Sequence, residues 1–257
     1  MNYEALDEAL EYIETGKSPE IFSLIEFTLN DMEAAMSEIT VLTEEGEEKQ
    51  EDKPEQAKVN VWEKIKAFIK KVIDFIKIKL AVLCGKIASK LNKTFIKSKI
   101  DDAKKADKKN QLSKIDYSFT DFANLKAQME KFLQDSNVEK YDISAIVKCD
   151  INNTPTEIDK ALQSIASISN MLPKLEAKYN KFLKEAEAKS GNPAELSVKM
   201  SSSFSLLAAC ARSIKSIWAI SDRIIVLCKK IIANPDEDYT ELIEKINQFV
   251  GVTKKKK

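Results

Sequence analysis

Along most of this chain, apolar residues recur three and four positions apart, the spacing that lines them up on one face of an α-helix. A first short helix is predicted from near Tyr3 to Gly16, glycine being a natural residue just past a helix end. Ser18 and Pro19 then read as a cap and a first position. The helix they open carries Ile21, Leu24, Ile25, Thr28, Leu29, Met32, Met36 and Ile39 on one face. From residue 42 to 57 the pattern stops in a run of Glu, Gln, Lys and Asp, and a disordered acidic linker is expected there.

Residues 59–99 resume the pattern, with Trp62, Ile65, Ile69, Val72, Ile76, Leu80, Leu83, Ile87 and Leu91 on one stripe and a bend expected near Gly85. Residues 100–114 read as a charged connector. A helix is predicted over 119–134, with Phe122, Leu125, Met129, Phe132 and Leu133 as its face, and a short one around Ile143 to Lys148.

Thr154-Pro155-Thr156-Glu157 has the grammar of a capping box, with Thr154 as cap and Glu157 closing back on it. The helix behind it should run to about Lys189, kinked at Pro173. After Ser190-Gly191-Asn192, a second long apolar row runs from Leu196 to Ile232, until Asn234-Pro235 ends it. So short a connection makes the two helices antiparallel neighbours, and 154–233 is predicted to be a long helical hairpin. A last helix carries Leu242, Ile243, Ile246, Phe249 and Val250.

The expected fold class is all-α, an elongated helical bundle built around the 154–233 hairpin. Its expected divisions are an acidic helical segment (1–41), the linker (42–57), a Lys-rich helix with its connector (58–114), a bundle (115–253) and a basic tail (254–257). Composition agrees, since five Gly and six Pro in 257 residues leave few turns and long elements.

Charge changes the picture. The net charge is zero, yet residues 1–57 carry 17 acids against 3 Lys, and residues 58–114 carry 17 Lys against 5 acids. Lys64, Lys66, Lys70, Lys71, Lys77, Lys79, Lys86, Lys90 and Lys93 surround the stripe of the second helix and are the candidate contacts for a polyanion. The same pattern fits a helix docked on the bundle with its lysines in water, or one lying on a membrane surface.

Catalytic chemistry is poorly provided for. With no His, the commonest general base and metal ligand is missing. Cys84, Cys149, Cys210 and Cys228 are dispersed among apolar neighbours and are expected to be buried thiols rather than metal ligands. No phosphate-binding glycine loop, nucleophile elbow or calcium loop occurs, and no cofactor is expected. The two arginines, Arg212 and Arg223, should lie on one side of a helix, in ion pairs within the hairpin or against a phosphate. Lys-rich, Arg-poor basicity suits unspecific phosphate neutralisation better than base reading. The N-terminus lacks a signal-peptide pattern and no apolar run is long enough to span a bilayer, so an intracellular, reducing setting is expected.

In organisation, an acidic helical segment, an acidic linker and a basic helical body, the chain resembles the internal head and prohead-core proteins of large tailed bacteriophages. The resemblance implies a capsid interior, virion-protein and DNA partners, and removal of an acidic propeptide by a prohead protease. One group of these proteases cuts after a Glu with Leu or Ile two positions earlier. Leu42-Thr43-Glu44 fits that rule, making Glu44 the candidate processing site, and Ser18-Pro19-Glu20 fits a looser rule. Two other readings stay open: a scaffold whose acidic arm docks on its own basic helix, and a membrane-active protein acting through 59–99.

Overall fold

The computed structural model describes residues 20–48, 55–135 and 140–248. The helix expected over 3–16, its neighbours Ser18 and Pro19, and the basic tail lie outside them. The fold is an all-α helical bundle carrying one small sheet. In chain order the helices are α1 (Glu20–Glu48), α2 (Glu55–Asp74), α3 (Ala81–Lys90), α4 (Lys93–Ala106), α5 (Phe122–Gln134), α6 (Thr154–Glu187), α7 (Pro193–Ala233) and α8 (Thr240–Asn247).

The largest helix, α7, is the core of the bundle. It buries residues on every side, from Leu196 through Phe204, Ile214 and Trp218 to Ile231, as a helix surrounded by others must. It packs against α1, α4 and α5, and α8 folds back on its end. The other long helix, α6, packs mainly on α2, α3 and α5. The two are joined through residues 188–192, where Asn192 accepts a bond from the Ala194 N–H at 2.9 Å and Gly191 sits at φ 90°. The predicted hairpin thus has its two helices and its cap, but its arms touch each other sparsely because their main partners are other helices. One direct link is the Tyr179 hydroxyl, 2.6 Å from Ser203 Oγ. Helix α6 continues without a break through Pro173.

Several boundaries differ from the sequence reading. α1 does not end at residue 41: it continues to Glu48, with Thr43 buried and its hydroxyl donating to the Ile39 carbonyl at 3.1 Å. α2 already begins at Glu55, so helix occupies most of the span expected to be a linker. The bend expected near Gly85 is replaced by a π-helical stretch, Phe75–Leu80, and a break at Leu91-Asn92. The π turn inserts extra backbone per turn and keeps Phe75, Ile76 and Leu80 all buried.

Residues 93–106, which span the end of the helix expected over 59–99 and the start of the connector expected over 100–114, form a separate helix, α4. Asn92 caps it through the Thr94 N–H at 2.8 Å, and Ile96, Ile100 and Ala103 form a narrow buried stripe under a charged exterior. Three apolar positions suffice because α7 covers them.

The predicted helix start at 119 and the short helix near 143–148 are corrected by a two-stranded antiparallel sheet. β1 (Asp116–Thr120) pairs with β2 (Ile146–Asp150), Tyr117 opposite Cys149 and Phe119 opposite Val147. Tyr117 and Phe119 alternate inward, and aromatic residues suit a half-buried strand. The capping box at Thr154 does not form. Asn153 takes the cap position, and the Thr154 hydroxyl turns inward to the Asp150 carbonyl and the Tyr117 hydroxyl, the latter 3.0 Å away. Burial of that hydroxyl decides the matter, since it needs a partner inside.

Candidate interaction surface

The surface of interest is built around α1, a helix that meets the bundle along three sides. Phe22, Ile25, Leu29, Met32, Met36 and Ile39 are at most 5% exposed and face the core, where Phe22 packs against Trp218 with ring centroids 6.1 Å apart. The acids of α1 flank that row. Toward α2, Asp31 bonds to Lys71 at 2.8 Å and Glu38 pairs with Lys64, while Lys79 reaches the Thr28 hydroxyl. The i, i+7 spacing within both pairs, 31/38 and 64/71, lines these contacts up on one edge of each helix. Toward α7, Arg212 is held by Glu26 at 3.2 Å and Glu33 at 2.7 Å, with Asn30 at 3.3 Å, and Lys215 adds a contact to Glu26 at 3.4 Å. The bonds that Arg212 donates to Glu33 and Glu26 hold its pKa above the ordinary value.

The expected ion pairs of Arg212 within the hairpin are therefore replaced by pairs with α1, and Arg223 donates to the Lys245 carbonyl of α8 at 3.1 Å. Sequence spacing could place both arginines on one side of a helix; it held no signal for which neighbour would lie there. Arg212→Ala is expected to cost about 1–2 kcal/mol, because it leaves the half-covered Glu33 carboxylate without its donor and Glu26 with Lys215 alone. Lys71→Ala, at an exposed pair, should cost less than about 1 kcal/mol. Urea denaturation of both variants at low and high salt checks the contrast.

Among the described residues, the candidate lysines do not converge. Lys64, Lys71 and Lys79 turn to α1, Lys66 pairs with Glu63 in its own helix, and Lys70 is exposed. Lys77 reaches Glu176 at 2.9 Å and Lys93 reaches Asp159 at 3.5 Å, both on α6. The side chains of Lys86 and Lys90 lie outside the described residues. The lysines predicted to surround one stripe are thus divided, Lys64, Lys71 and Lys79 toward α1 and Lys77 and Lys93 toward α6. Glu44 is exposed on α1, within helix rather than in an open linker.

Glu44 also borders a cleft of about 810 Å³ between the end of α1, residues 140–143 and the start of α7. Its walls are hydroxyl-rich, with Thr40, Ser201 and Ser205, and the buried Tyr141 hydroxyl beside it has no hydrogen-bond partner. Among the described residues, no cluster of carboxylates and thiols could hold a metal ion. The four cysteines are free and buried, as expected. No described helix is long and apolar enough to cross a membrane. Comparison of the chain with family models, curated proteins and solved structures finds no match.

Proposed function

We propose that this chain is a non-enzymatic helical scaffold that holds partner proteins, with its acidic N-terminal helix a permanent layer of its own bundle. The observation that carries this reading is the double engagement of α1: its apolar row is in the core while its acids pair with Lys64, Lys71 and Arg212. A lysine already paired with a carboxylate must give up that partner before it can neutralise a phosphate and release the cations condensed on a nucleic acid, which weakens the main driving force for unspecific binding. The division of the described lysines between α1 and α6 further dilutes any one basic patch.

A second reading, favoured by the uneven charge, is an internal virion protein of the tailed-phage kind. In it a basic body lies against packaged DNA once the acidic segment has gone. Cleavage after Glu44 would require α1 to unwind locally, because a protease takes an extended substrate. Loss of α1 would also uncover the apolar surfaces of α2 and α7 that it covers.

Binding of unspecific duplex DNA, at low and moderate salt, separates the two. The full chain and its Asp31→Asn/Glu38→Gln variant, which frees Lys64 and Lys71 while leaving the core intact, are compared. Weak binding by both is expected for the scaffold. A steeply salt-dependent gain of affinity in the variant would overturn that reading in favour of a masked DNA-binding body.

A further inference from the structure

Each edge of the two-stranded sheet is met by the side-chain amide of an asparagine. The Asp121 N–H donates to the Ala145 carbonyl at 2.8 Å, one step beyond the Thr120–Ile146 pair. Bonded and non-bonded pairs alternate in an antiparallel ladder, so Phe119 with Val147 and Tyr117 with Cys149 exchange bonds. Residues 116, 118 and 120 of β1 and 146, 148 and 150 of β2 then turn their N–H and C=O groups outward. On the β2 side, Asn153 donates from Nδ2 to the Lys148 carbonyl at 3.2 Å and accepts at Oδ1 from the Asp150 N–H at 2.8 Å. The Asp150 carbonyl accepts from the Thr154 hydroxyl. On the β1 side, Asn247 of α8 donates from Nδ2 to the Lys114 carbonyl at 2.8 Å and accepts at Oδ1 from the Asp116 N–H at 2.9 Å.

In both places one planar amide spans a carbonyl and the N–H two residues further on, as one residue of a neighbouring parallel strand would. An ionised aspartate could only accept there, and a leucine could do neither. The helix that follows does not explain Asn153, since its side chain makes no capping bond to α6. The edge of β2 needs such cover. Ile146 is 42% exposed, and Lys148 and Asp150 are exposed as well. An open strand edge of this kind recruits strands from other chains.

We propose that Asn153 and Asn247 are edge stops that keep the sheet at two strands, and that the strand Asn153 excludes is β2 of a second copy. Two β2 strands set antiparallel about Cys149 would place Lys148 of each copy opposite Asp150 of the other, a favourable cross-strand pair made twice. That register bonds through the N–H and C=O groups of residues 148 and 150. Asn153 and Thr154 already occupy three of those four groups. β1 is not open in the same way, because α8 lies against it. The inference goes beyond the scaffold reading and does not depend on it.

Amide hydrogen exchange on the unmodified chain tests the bonds themselves. Relative to its intrinsic rate, the Asp150 N–H should exchange about tenfold or more slowly than the Lys148 N–H, which turns to the same side with no bond among the described residues. Asn153→Ala should erase that difference and leave the Asp116 amide protected. It should also bring on self-association that rises with concentration in sedimentation velocity. Its far-UV circular dichroism should be unchanged, because the side chain does not cap α6. Adding Lys148→Pro, which removes an outward N–H without touching the bonds to β1, should restore the sedimentation of the unmodified chain. Equal exchange at residues 148 and 150 of the unmodified chain overturns the proposal. So does a folded Asn153→Ala chain that associates no more than the unmodified one, or whose association survives Lys148→Pro.

Discussion

Truncating Leu29 to Ala is expected to destabilise the whole molecule by about 2–5 kcal/mol, seen as a shift of one cooperative unfolding transition in urea. Leu29 has no exposed surface, in the middle of the row that α1 presses onto α2 and α7. Its removal leaves a cavity that three helices would have to close together, and helices of a packed core relax only in part. Val41→Ala, on the exposed side of the same helix, should shift the transition by less than about 0.5 kcal/mol. The pair of variants also bears on function. An acidic propeptide designed to be shed would come away in a separate early transition, leaving the main one where it was. A single shifted transition means that α1 belongs to the folding unit and supports the scaffold reading. Two transitions, with the main one unmoved by Leu29→Ala, would favour the reading in which the basic body stands alone.

Raising the pH above about 9 is expected to unfold the protein progressively, with the urea midpoint falling at each step. Burial pushes the Cys84, Cys149 and Cys228 thiols up to about 12, and Cys210 is raised by burial as well. In the unfolded chain these thiols ionise near 9.0. Between those values the folded state keeps protons that the unfolded state releases, so stability falls as pH rises. Each thiol contributes at most about 1.4 kcal/mol per pH unit, and all four act in the same direction. Tyr117 and Tyr179, also pushed up by burial, join the loss above about pH 10. Below that range the outcome reverses in character. With no histidine anywhere in the chain, stability should be nearly flat from about pH 6 to 8. Cys228→Ala should make the alkaline decline shallower. A midpoint that holds constant up to pH 10 would show that the thiols are not sealed from solvent.

Local periodicity carried most of the secondary structure. The rows in α6 and α7 are long enough that no other element satisfies them, and Asn192-Pro193 marks the start of α7 by chemistry that needs no tertiary partner. Burial of Cys84, Cys210 and Cys228 was legible for the same reason, because each sits within an apolar helical row, whereas Cys149 lies between Lys148 and Asp150 and is buried where β2 pairs with β1. Where the row was short, the reading failed. The five residues of β1 offer only Tyr117 and Phe119 as an alternating pair, too few to separate a strand from a helix start. The stretch 100–106, with Ile100 and Ala103, looked like a charged connector until α7 was there to cover it.

For the candidate surface the division is sharper. That the N-terminal part is acidic and the next part basic is a property of the sequence alone. Which lysine meets which carboxylate was decided only in three dimensions. Lys71 and Asp31 are 40 residues apart, and Arg212 and Glu33 are 179 apart. Periodicity acts over a few turns of one helix and states which side chains share a face. Packing of apolar faces sets which helices become neighbours, and the surface charges then pair with whatever that packing brings within reach.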